Sequence, residues 1–281
     1  MFHRIAILGV GLIGASFARA ARKQGLCRHI SGYGRNAENL RRARAMGIID
    51  SFEADPAAAC DAADLVLLSA PVGSFTGLAG KIAPALKKGA VVTDAGSVKG
   101  GLVEQLEDLM PPGAHFIGAH PIAGSDRSGI DASHAELFKG ALCIITPTSR
   151  SDRTSLDAVI ALWEGIGCRV DRMDPFRHDR VFAAVSHMPH IVAFSLVNAL
   201  HNLDEGFIEY AGQGFRDTTR IAASSPEIWR DISISNRDNL VEMMRAVRKE
   251  FDIIMRHLEA GDASALEEAF RRAQQLRQEL G

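Results

Sequence analysis

The sequence predicts an α/β domain with a parallel sheet covered on both faces by helices, followed by an all-helical domain. Three observations predict this. Short apolar runs alternate with helical patterns through the first half of the chain. A glycine-rich turn, Gly9 to Gly14, directly follows the first apolar run. Beyond Pro175, strand patterns largely disappear and long helical patterns replace them.

The elements of the first domain follow from this alternation. Buried strands are expected at short apolar runs bounded by Gly, Pro or Asp, at residues 5–8, 29–33, 65–70, 91–94, 116–119 and 142–146. Helices are expected between most of them, at residues 12–24, 37–45, 75–86 and 99–110. A helix at 155–166 and a strand at 168–172 complete the domain. Strand–helix alternation of this kind is typical of parallel sheets.

The second domain is expected to contain long helices at residues 177–203, 226–260 and 263–280, with a loop rich in Gly, Asp and Thr at 209–220. We place the boundary near Asp174, which gives domains of residues 1–173 and 174–281. A helical unit with this pattern buries its apolar faces more easily against a second copy of the chain than alone. We therefore expect a homodimer formed through the helical domain.

Composition and charge exclude several classes of protein. Of the 281 residues, 47% are hydrophobic and 23% are charged, as in soluble proteins with a full core. Thirty-two Lys and Arg against 34 Asp and Glu give a formal net charge of −2, which offers no electrostatic attraction to nucleic acid or to an anionic membrane. The uncharged stretch 65–80 is interrupted by glycines and Pro71, so we expect no membrane-spanning helix there.

The four cysteines have no spacing typical of a metal site. Cys27, Cys60, Cys143 and Cys168 form no CxxC pair and no Cys/His zinc pattern, so we expect no metal and free buried thiols. Such thiols are typical of a reducing cytoplasm. The three glycines within the N-terminal apolar segment have no use in a secretory signal, and we expect a retained segment and a cytoplasmic protein.

The glycine-rich turn reads GVGLIG, between a predicted strand and a predicted helix. Gly9 permits a tight turn, Gly11 lets the backbone approach a pyrophosphate, and Gly14 packs the helix against the sheet. The backbone N–H groups of the first helical turn, at Leu12 and Ile13, then face the phosphates. This arrangement predicts a Rossmann-type, doubly wound sheet that binds a dinucleotide.

The end of the second strand bears on the choice of cofactor. An NAD-binding domain usually has an acidic residue there, whereas Tyr33-Gly34-Arg35-Asn36 contains no carboxylate. Arg35 is suited to pair with a 2′-phosphate, which predicts NADP in preference to NAD, although a solvent-directed Arg35 is the alternative. Ser69 and Pro71, at the end of the third predicted strand, are further candidates for cofactor binding because ligands lie at strand carboxyl ends.

Three further segments carry candidate chemistry. They are DAGSVK at 94–99, GAHPIAGSD at 118–126 and SHMPH at 186–190. Ser97 and His120 follow or end predicted strands, so we expect them at the nicotinamide end of the cofactor. Ser186, His187 and His190 begin the helical domain and are expected to face them across a cleft.

At these residues the chain resembles the prephenate/arogenate dehydrogenase family, the oxidoreductases of tyrosine biosynthesis. The resemblance covers essentially the whole chain, and it includes GVGLIG, DAGSVK, GAHPIAGSDRSG, VSHMPH and GFRDTTRIA at 214–222. It departs from the pattern in the missing acidic residue after the second strand. The resemblance implies oxidative decarboxylation of prephenate to 4-hydroxyphenylpyruvate, with hydride transfer to NAD(P)⁺.

The resemblance also implies roles for two residues of the nucleotide-binding domain. His120 is the proton acceptor for the substrate hydroxyl, and imidazole titrates near neutrality as a general base should. A histidine that only forms a hydrogen bond in its loop is the alternative. Ser97 orients His120 and the nicotinamide, while its hydroxyl is also suited to cap the helix expected from Lys99.

The implied substrate residues lie mostly in the helical domain. Arg220 and His190 resemble the residues of the family that bind the substrate carboxylates, and a planar guanidinium forms two parallel bonds to a carboxylate. Ser186 and His187 are adjacent candidates, although His187 is equally consistent with packing at an interface. Asp126 and Asp217 are candidates for ion pairs that position Arg220 or gate entry to the site. Trp163 and Trp229 are expected in the core without a role in the reaction.

Several alternatives remain open at this point. Arogenate differs from prephenate by an amino group in place of the side-chain keto group, and no residue decides between them, although His190 favours the keto acid. A β-hydroxyacid dehydrogenase uses a lysine on the first helix of its second domain, and the helix predicted at 177–203 has none. A non-catalytic NAD(P) sensor leaves His120, His190 and Arg220 without a purpose.

Overall fold

The computed structural model describes residues 2–124 and 127–279. It confirms the predicted fold class, since a mostly parallel sheet with helices on its faces precedes a helical region. The strands of the described residues are β1 (Phe2–Leu8), β2 (Cys27–Tyr33), β3 (Ser51–Phe52), β4 (Leu65–Leu68), β5 (Val91–Asp94), β6 (His115–Pro121), β7 (Leu142–Thr146) and β8 (Arg169–Arg172). They form one sheet in the order β3-β2-β1-β4-β5-β6-β7-β8. The short β3 was not predicted.

The helices that cover the sheet are α1 (Leu12–Lys23), α2 (Ala37–Ala45), α3 (Pro56–Ala59), α4 (Phe75–Ile82), α5 (Gly100–Asp108) and α6 (Arg153–Gly165). Residues on β1 alternate between two hydrophobic clusters. Ile5 and Ile7 belong to the cluster that contains Phe17 and Trp163, whereas Ala6 and Leu8 belong to the cluster that contains Phe75. Both faces of the sheet are therefore buried, and the prediction that Trp163 lies in the core is confirmed.

One strand pair departs from the predicted parallel sheet. β7 runs antiparallel to β6, with His120 opposite Ile144, while β7 and β8 are parallel to each other. A parallel connection needs a crossover, usually an α-helix. Between β6 and β7, the described residues contain only the short 3₁₀ helix Ile130–Ala132. The antiparallel return keeps the carboxyl end of β6 beside the start of β7.

The helices beyond β8 are α7 (Pro175–Phe182), α8 (Met188–Leu203), α9 (Gln213–Thr219), α10 (Pro226–Ser235), α11 (Arg237–Ala260) and α12 (Ala263–Glu279). The loop predicted at 209–220 is wrong in part, because α9 starts after the extended Gly212. The single helix predicted at 226–260 is interrupted at Asn236. The side chain of Asn236 donates hydrogen bonds to the Asp179 carbonyl at 2.8 Å and is 3.0 Å from Nδ1 of His187.

The run Pro175–Leu203 is long and apolar enough to cross a membrane by length and composition, and an 18-residue window within it has a mean hydropathy of 1.4. The expectation that no helix spans a membrane was based on residues 65–80, which lie outside this run. The run is not a uniform α-helix, because Ala183–His187 form a π-turn. It also buries the polar side chains of His178 and Asp179. The first half of this run therefore contributes buried polar groups to the folded chain.

The chain divides into two compact units, residues 1–236 and 237–281. The predicted domain boundary after residue 173 remains a prediction. The second unit consists of α11 and α12, joined at Gly261 with a φ of 65°. Arg272 and Glu250 form an ion pair of 3.5 Å, and each lies 11 positions from Gly261, which indicates an antiparallel helical hairpin.

Candidate active site

The glycine-rich turn between β1 and α1 places its three glycines in different surroundings. Gly9 has a φ of 113°, and a Cβ atom on it would lie 2.4 Å from the backbone nitrogen of Ala70. A Cβ atom on Gly14 would lie 2.3 Å from the Gly9 carbonyl oxygen. A Cβ atom on Gly11 would contact nothing within 4 Å among the described residues. Gly9 and Gly14 thus permit close packing, while Gly11 leaves its backbone accessible to a ligand.

The N-terminus of α1 is suited to bind a phosphate. Its N-cap is Gly11, and no side chain in the described structure accepts a hydrogen bond at this cap. The backbone N–H groups of the first turn, with the positive end of the helix dipole, remain available to an anion. The hydroxyl of Ser69 donates to the Gly9 carbonyl at 2.9 Å and joins the end of β4 to the turn. These residues fit the pyrophosphate of a dinucleotide.

A cavity of about 1170 Å³ opens at the carboxyl ends of β1, β2, β4 and β5. Crevices at this edge are where open α/β sheets bind ligands. The predicted site residues that line it are Gly9, Gly11, Leu12, Ile13, Arg35, Ser69, Pro71, Ser97 and Arg220. The predicted residues that do not line it are Gly14, His120, Ser186, His187, His190 and Asp217. The cavity therefore joins the dinucleotide turn to Ser97 and Arg220 in one space.

Arg35 lies at the wall of this cavity and is engaged with another residue. Its guanidinium donates two hydrogen bonds to the Glu227 carboxylate of α10, at 2.9 and 3.2 Å. The pairing with Glu227 raises the pKa of Arg35 and lowers the pKa of Glu227. The Arg35 side chain is also 77% exposed, so the alternative of a solvent-directed Arg35 is not contradicted.

Ser97 also lines the cavity, in the loop after β5. Its alternative role as a helix cap is wrong, because α5 has Lys99 as its N-cap and the cap has no side-chain hydrogen bond. The loop is instead held by the buried carboxylate of Asp94. This carboxylate forms an ion pair with Lys99 and accepts from the backbone N–H groups of Gly96 at 2.8 Å and Ala119 at 2.9 Å. Asp94 thereby fixes the Ser97 loop relative to the strand that carries His120.

His120 belongs to a chain of buried hydrogen bonds. Its Nδ1 lies 2.8 Å from Nε2 of His178, and Nδ1 of His178 lies 2.8 Å from Oδ1 of Asp179. The same Asp179 oxygen accepts from the backbone N–H of Lys99 at 2.7 Å. The ring of Phe182 packs against both imidazoles, with centroid distances of 4.8 and 4.4 Å. Three segments of the chain, the end of β6, the Lys99 loop and α7, thus meet in this buried network.

This chain determines the tautomers of both histidines. A carboxylate only accepts, so Nδ1 of His178 donates to Asp179 and its Nε2 accepts. Nδ1 of His120 must then donate to His178. In its neutral form His120 therefore carries its lone pair on Nε2, which is the atom able to take a proton.

Burial keeps these imidazoles neutral. Desolvation, together with the nearby His178 and Lys99, holds the pKa of His120 well below its ordinary value of 6.5. Desolvation also lowers the pKa of His178, although its hydrogen bond to Asp179 opposes that shift. The base form of His120 is therefore present throughout the neutral range.

Ser186 and His187 lie in the π-turn that precedes α8. Pro189 follows and has no N–H to donate within the helix, which is a common cause of such a local distortion. His187 is 1% exposed, and its burial lowers its pKa to about 4. Its Nδ1 lies 3.0 Å from the side-chain nitrogen of Asn236. His187 is thus held inside the protein beside the candidate site.

His190 stacks on Trp229. Their ring centroids are 3.6 Å apart with an interplanar angle of 20°, and Trp229 lines the cavity. Nδ1 of His190 donates to the Ser186 carbonyl at 2.9 Å, which leaves the lone pair on Nε2. Desolvation and the nearby Arg220 lower the pKa of His190. The prediction that gave Trp229 no role overlooked this contact.

Arg220 begins a short 3₁₀ helix, Arg220–Ala223, after α9. It lines the cavity and lies near enough to His190 to influence its pKa. Asp217 is exposed, and its Oδ1 accepts from the side-chain nitrogen of Gln213 at 2.7 Å. Asp126 lies outside the described residues. The roles expected of both aspartates stay predictions.

Sequence reasoning missed four residues of this region, namely His178, Asp179, Glu227 and Trp229. A polar His178–Asp179 pair between Pro175 and Phe182, on a helix with an apolar face, was a signal of buried polar packing. No local sequence pattern indicated Glu227, because its partner Arg35 lies 192 positions away in the sequence. Among the described residues, no group of three or more His, Cys, Asp or Glu side chains is arranged to hold a metal.

Comparison with known proteins agrees with this architecture. The family model for the prephenate dehydrogenase nucleotide-binding domain matches residues 17–172, and the one for the prephenate dehydrogenase dimerization domain matches residues 174–272. A cyclohexadienyl dehydrogenase of Zymomonas mobilis is 35% identical over 99% of this chain and 96% of its own length.

Two solved structures extend the comparison. The prephenate dehydrogenase of Aquifex aeolicus, in complex with hydroxyphenyl propionate and NAD⁺, is 38% identical with a TM-score of 0.94 and covers 100% of this chain and 99% of its own. The arogenate dehydrogenase of Synechocystis is 28% identical with a TM-score of 0.80, over 99% of this chain and 100% of its own. The chain therefore belongs to the prephenate dehydrogenase family of nicotinamide-dependent oxidoreductases.

Proposed function

We propose that the protein catalyses the oxidative decarboxylation of prephenate to 4-hydroxyphenylpyruvate, a step of tyrosine biosynthesis. The observation that carries this proposal is the single cavity that joins the dinucleotide turn to Ser97 and Arg220. The substrate must lie against the nicotinamide as hydride donor while a cationic group holds its carboxylate. This cavity contains both the dinucleotide turn and the guanidinium of Arg220. Family membership supports the same reaction.

The residues around the turn fit a dinucleotide. Gly11 and the uncapped N–H groups of Leu12 and Ile13 would hold its pyrophosphate, with Ser69 and Pro71 at the adjacent strand end. A bound nicotinamide cofactor supplies the hydride acceptor. The protein then has to orient the ring of the substrate, hold its carboxylates and take one proton.

His120 is the proposed general base. The hydrogen bond to His178 leaves Nε2 of His120 with the lone pair, and burial keeps the imidazole neutral. The hydroxyl proton of the substrate passes to this nitrogen while the ring carbon loses its hydride. Loss of the ring carboxylate as CO₂ then makes the ring aromatic, and that step supplies the driving force. Ser97, in the loop held by Asp94, is proposed to orient the reacting groups.

Arg220 and His190 are proposed to hold the carboxylates of the substrate, with His190 donating from Nε2–H in its protonated form because its Nδ1–H is already donated to the Ser186 carbonyl. Arg220 offers a planar guanidinium at the cavity wall, and His190 stands beside it on the Trp229 ring. Ser186, whose carbonyl accepts from His190, and the adjacent His187 are proposed as further substrate-binding residues. Asp126 and Asp217 are proposed to position Arg220. Electrostatic attraction of this kind orients the substrate before the carboxylate that leaves is lost.

Arogenate is the second candidate substrate. The Synechocystis relative is an arogenate dehydrogenase, and this similarity supports arogenate as a candidate. Arogenate presents an ammonium group in place of the keto group. A bound carboxylate favours the protonated form of His190, and that cation beside Arg220 would repel the ammonium group of arogenate, so we infer a preference for the keto acid.

We infer that NADP⁺ is preferred over NAD⁺. The support is local. Arg35 is the first charged side chain after β2, the segment from Gly34 to Asn36 has no carboxylate, and a guanidinium pairs well with a 2′-phosphate. The relative bound to NAD⁺ establishes the nicotinamide class for that protein only. The ratio of kcat/KM for the two cofactors tests this inference directly.

The protein is proposed to be a cytoplasmic homodimer. The dimerization-domain match covers residues 174–272, and several apolar side chains of α11 and α12 are exposed in the single chain: Phe251, Met255, Leu258, Phe270 and Leu276. An exposed apolar helical face of this kind is typical of an interface between subunits. Sedimentation equilibrium, with fractionation of cells, tests both parts of the proposal.

A rate matrix tests the proposed reaction. Purified protein is incubated with prephenate or arogenate and with NAD⁺ or NADP⁺, and the absorbance of the reduced cofactor is followed. We expect the largest kcat/KM with prephenate and NADP⁺, with CO₂ and 4-hydroxyphenylpyruvate formed in equal amounts. A larger value with arogenate would establish the second candidate. Absence of turnover with all four pairs would contradict both.

A further inference from the structure

Glu227 lies at the same end of the cavity as the cofactor-selecting Arg35. Both side chains line the cavity, and they form a two-point, fork-to-fork pair at 2.9 and 3.2 Å. In a dinucleotide-binding domain, the end of β2 faces the adenosine ribose. Here that position carries an arginine instead of the usual carboxylate, and a carboxylate reaches it from α10. The two groups that distinguish a 2′-hydroxyl from a 2′-phosphate are thus both present and bound to each other.

The helix that carries Glu227 is closely packed against the nucleotide-binding domain. A Cβ atom on Gly73, in the 3₁₀ turn after β4, would lie 2.7 Å from Oδ2 of Asp231, so the two segments approach as closely as a glycine permits. Ile232 is buried in the hydrophobic cluster on this face of the sheet, and Trp229 packs against the same cluster. The position of Glu227 is therefore set by its helix, and the carboxylate is presented to Arg35 by a fixed scaffold.

Neighbouring charges leave Arg35 as the main partner of this carboxylate. Arg230, another cation near Glu227, bonds to Asp231 at 2.6 and 2.8 Å. Arg35 has no second carboxylate partner within ion-pair distance among the described residues. The Arg35–Glu227 pair is thus a local unit at the cavity wall.

We propose that Glu227 sets how strongly the enzyme discriminates between NADP⁺ and NAD⁺, by competing with the 2′-phosphate for Arg35. The inference rests on the proposed role of Arg35. A 2′-hydroxyl donates to a carboxylate that keeps its pair with Arg35. A 2′-phosphate carries about two negative charges and must displace Glu227 from the guanidinium, after which the carboxylate lies beside a like charge. Glu227 therefore weakens NADP binding and leaves NAD binding nearly unchanged.

Equilibrium titration of the full-length protein with NADPH and with NADH tests the proposal without turnover. The variants are Glu227→Gln, Arg35→Gln and the double variant. Glu38→Gln is the matched control, because Glu38 pairs with Arg41 at 2.8 Å on nearby α2, does not line the cavity and loses the same charge. We expect Glu227→Gln to tighten NADPH by roughly three- to tenfold, the range of an exposed ion pair acting on a dianion. NADH should change by less than about twofold, as should both cofactors with Glu38→Gln.

The outcomes separate this inference from the role of Arg35. Weaker NADPH binding with Arg35→Gln, combined with no gain from Glu227→Gln, would overturn the inference and keep Arg35 as the 2′-phosphate partner. Unchanged NADPH binding with Arg35→Gln would overturn both. Equal tightening of NADPH by Glu227→Gln and Glu38→Gln would show a general charge effect and would also overturn the inference. A smaller gain from Glu227→Gln in the Arg35→Gln background supports direct competition.

Discussion

Nδ1 of His120 lies 2.8 Å from Nε2 of His178, whose own Nδ1 lies 2.8 Å from a carboxylate oxygen of Asp179. These two hydrogen bonds determine which nitrogen of the His120 imidazole carries the proton. The carboxylate orients His178, and His178 orients His120, so that the proton-accepting nitrogen of His120 is Nε2. A histidine from the sheet thus has its chemistry defined by two residues of α7.

His120→Asn should lower kcat by roughly 10²–10⁴-fold, the contribution of a positioned general base. Asparagine retains a donor toward His178 but has no group that takes a proton. Cofactor affinity should remain, because His120 does not line the cavity that holds the dinucleotide turn. Steady-state kinetics with titration of the reduced cofactor measures both quantities. A turnover number equal to that of the wild type would remove His120 from the reaction.

His178 is a positioning residue, and two substitutions distinguish orientation from packing. Glutamine at position 178 keeps an acceptor for Nδ1–H of His120, whereas leucine leaves that buried donor unpaired. We expect His178→Leu to lower kcat by at least about tenfold more than His178→Gln, with similar KM values. The pH profile of kcat/KM should shift only in the leucine variant. Equal losses and unshifted profiles in the two variants would indicate packing alone.

Arg220→Ala should raise KM for the substrate by roughly 10- to 100-fold while cofactor affinity stays unchanged, because the guanidinium contributes binding to the carboxylate. Arg220→Lys is the paired variant. It keeps the charge without the planar two-point geometry, so an intermediate KM is expected. A normal KM combined with poor cofactor affinity would place Arg220 at the other end of the cavity.

The elements that the sequence predicts well are those whose causes are local. Six of the seven strands longer than β3 follow from apolar runs, and the three glycines of the first turn follow from strand–turn–helix spacing. The residues that it did not predict act through long-range contacts. Asn236 ends α10 because its side chain bonds to Asp179 and His187, 57 and 49 positions away, and no local pattern predicts such a break.

The candidate site divides in the same way. Ser97 and Arg220 were found from motifs, and both line the cavity. His120 was also found from a motif, but its hydrogen-bond partner, His178, lies on α7, 58 positions away in the sequence. The stacking of His190 on Trp229 required two helices to meet, so a tryptophan that composition assigns to the core became part of the cavity wall. Residue type alone does not predict such pairings.

Burial of His187 should make the folded state sensitive to acid. Its pKa in the folded chain is about 4, against 6.5 for the ordinary group. Between these values the unfolded chain binds a proton that the folded chain does not, so stability is complete above pH 6.5 and falls as the pH decreases. At pH 5 this histidine accounts for a loss of about 2 kcal/mol.

Urea unfolding at pH 7.5 and pH 5 measures this loss. His187→Asn, which keeps an acceptor for Asn236, should reduce the difference between the two pH values by about 2 kcal/mol. His134→Asn is the control, because its side chain is exposed in the folded chain, and it should leave the difference unchanged. An identical pH dependence in the wild type and His187→Asn would show that other groups cause the acid sensitivity.

Gly11 and Gly14 allow cofactor binding to be separated from folding. A methyl group on Gly11 points into open space, and the backbone there has a φ of −104°, so Gly11→Ala should leave Tm nearly unchanged. The same methyl occupies space that a pyrophosphate needs, and we expect cofactor affinity to fall by at least about tenfold.

Gly14→Ala places its methyl 2.3 Å from the Gly9 carbonyl oxygen and should instead lower Tm by several degrees. Thermal unfolding and cofactor titration of both variants test this contrast. Unchanged cofactor affinity in a stably folded Gly11→Ala variant would mean that the open side of Gly11 is not where the phosphates bind.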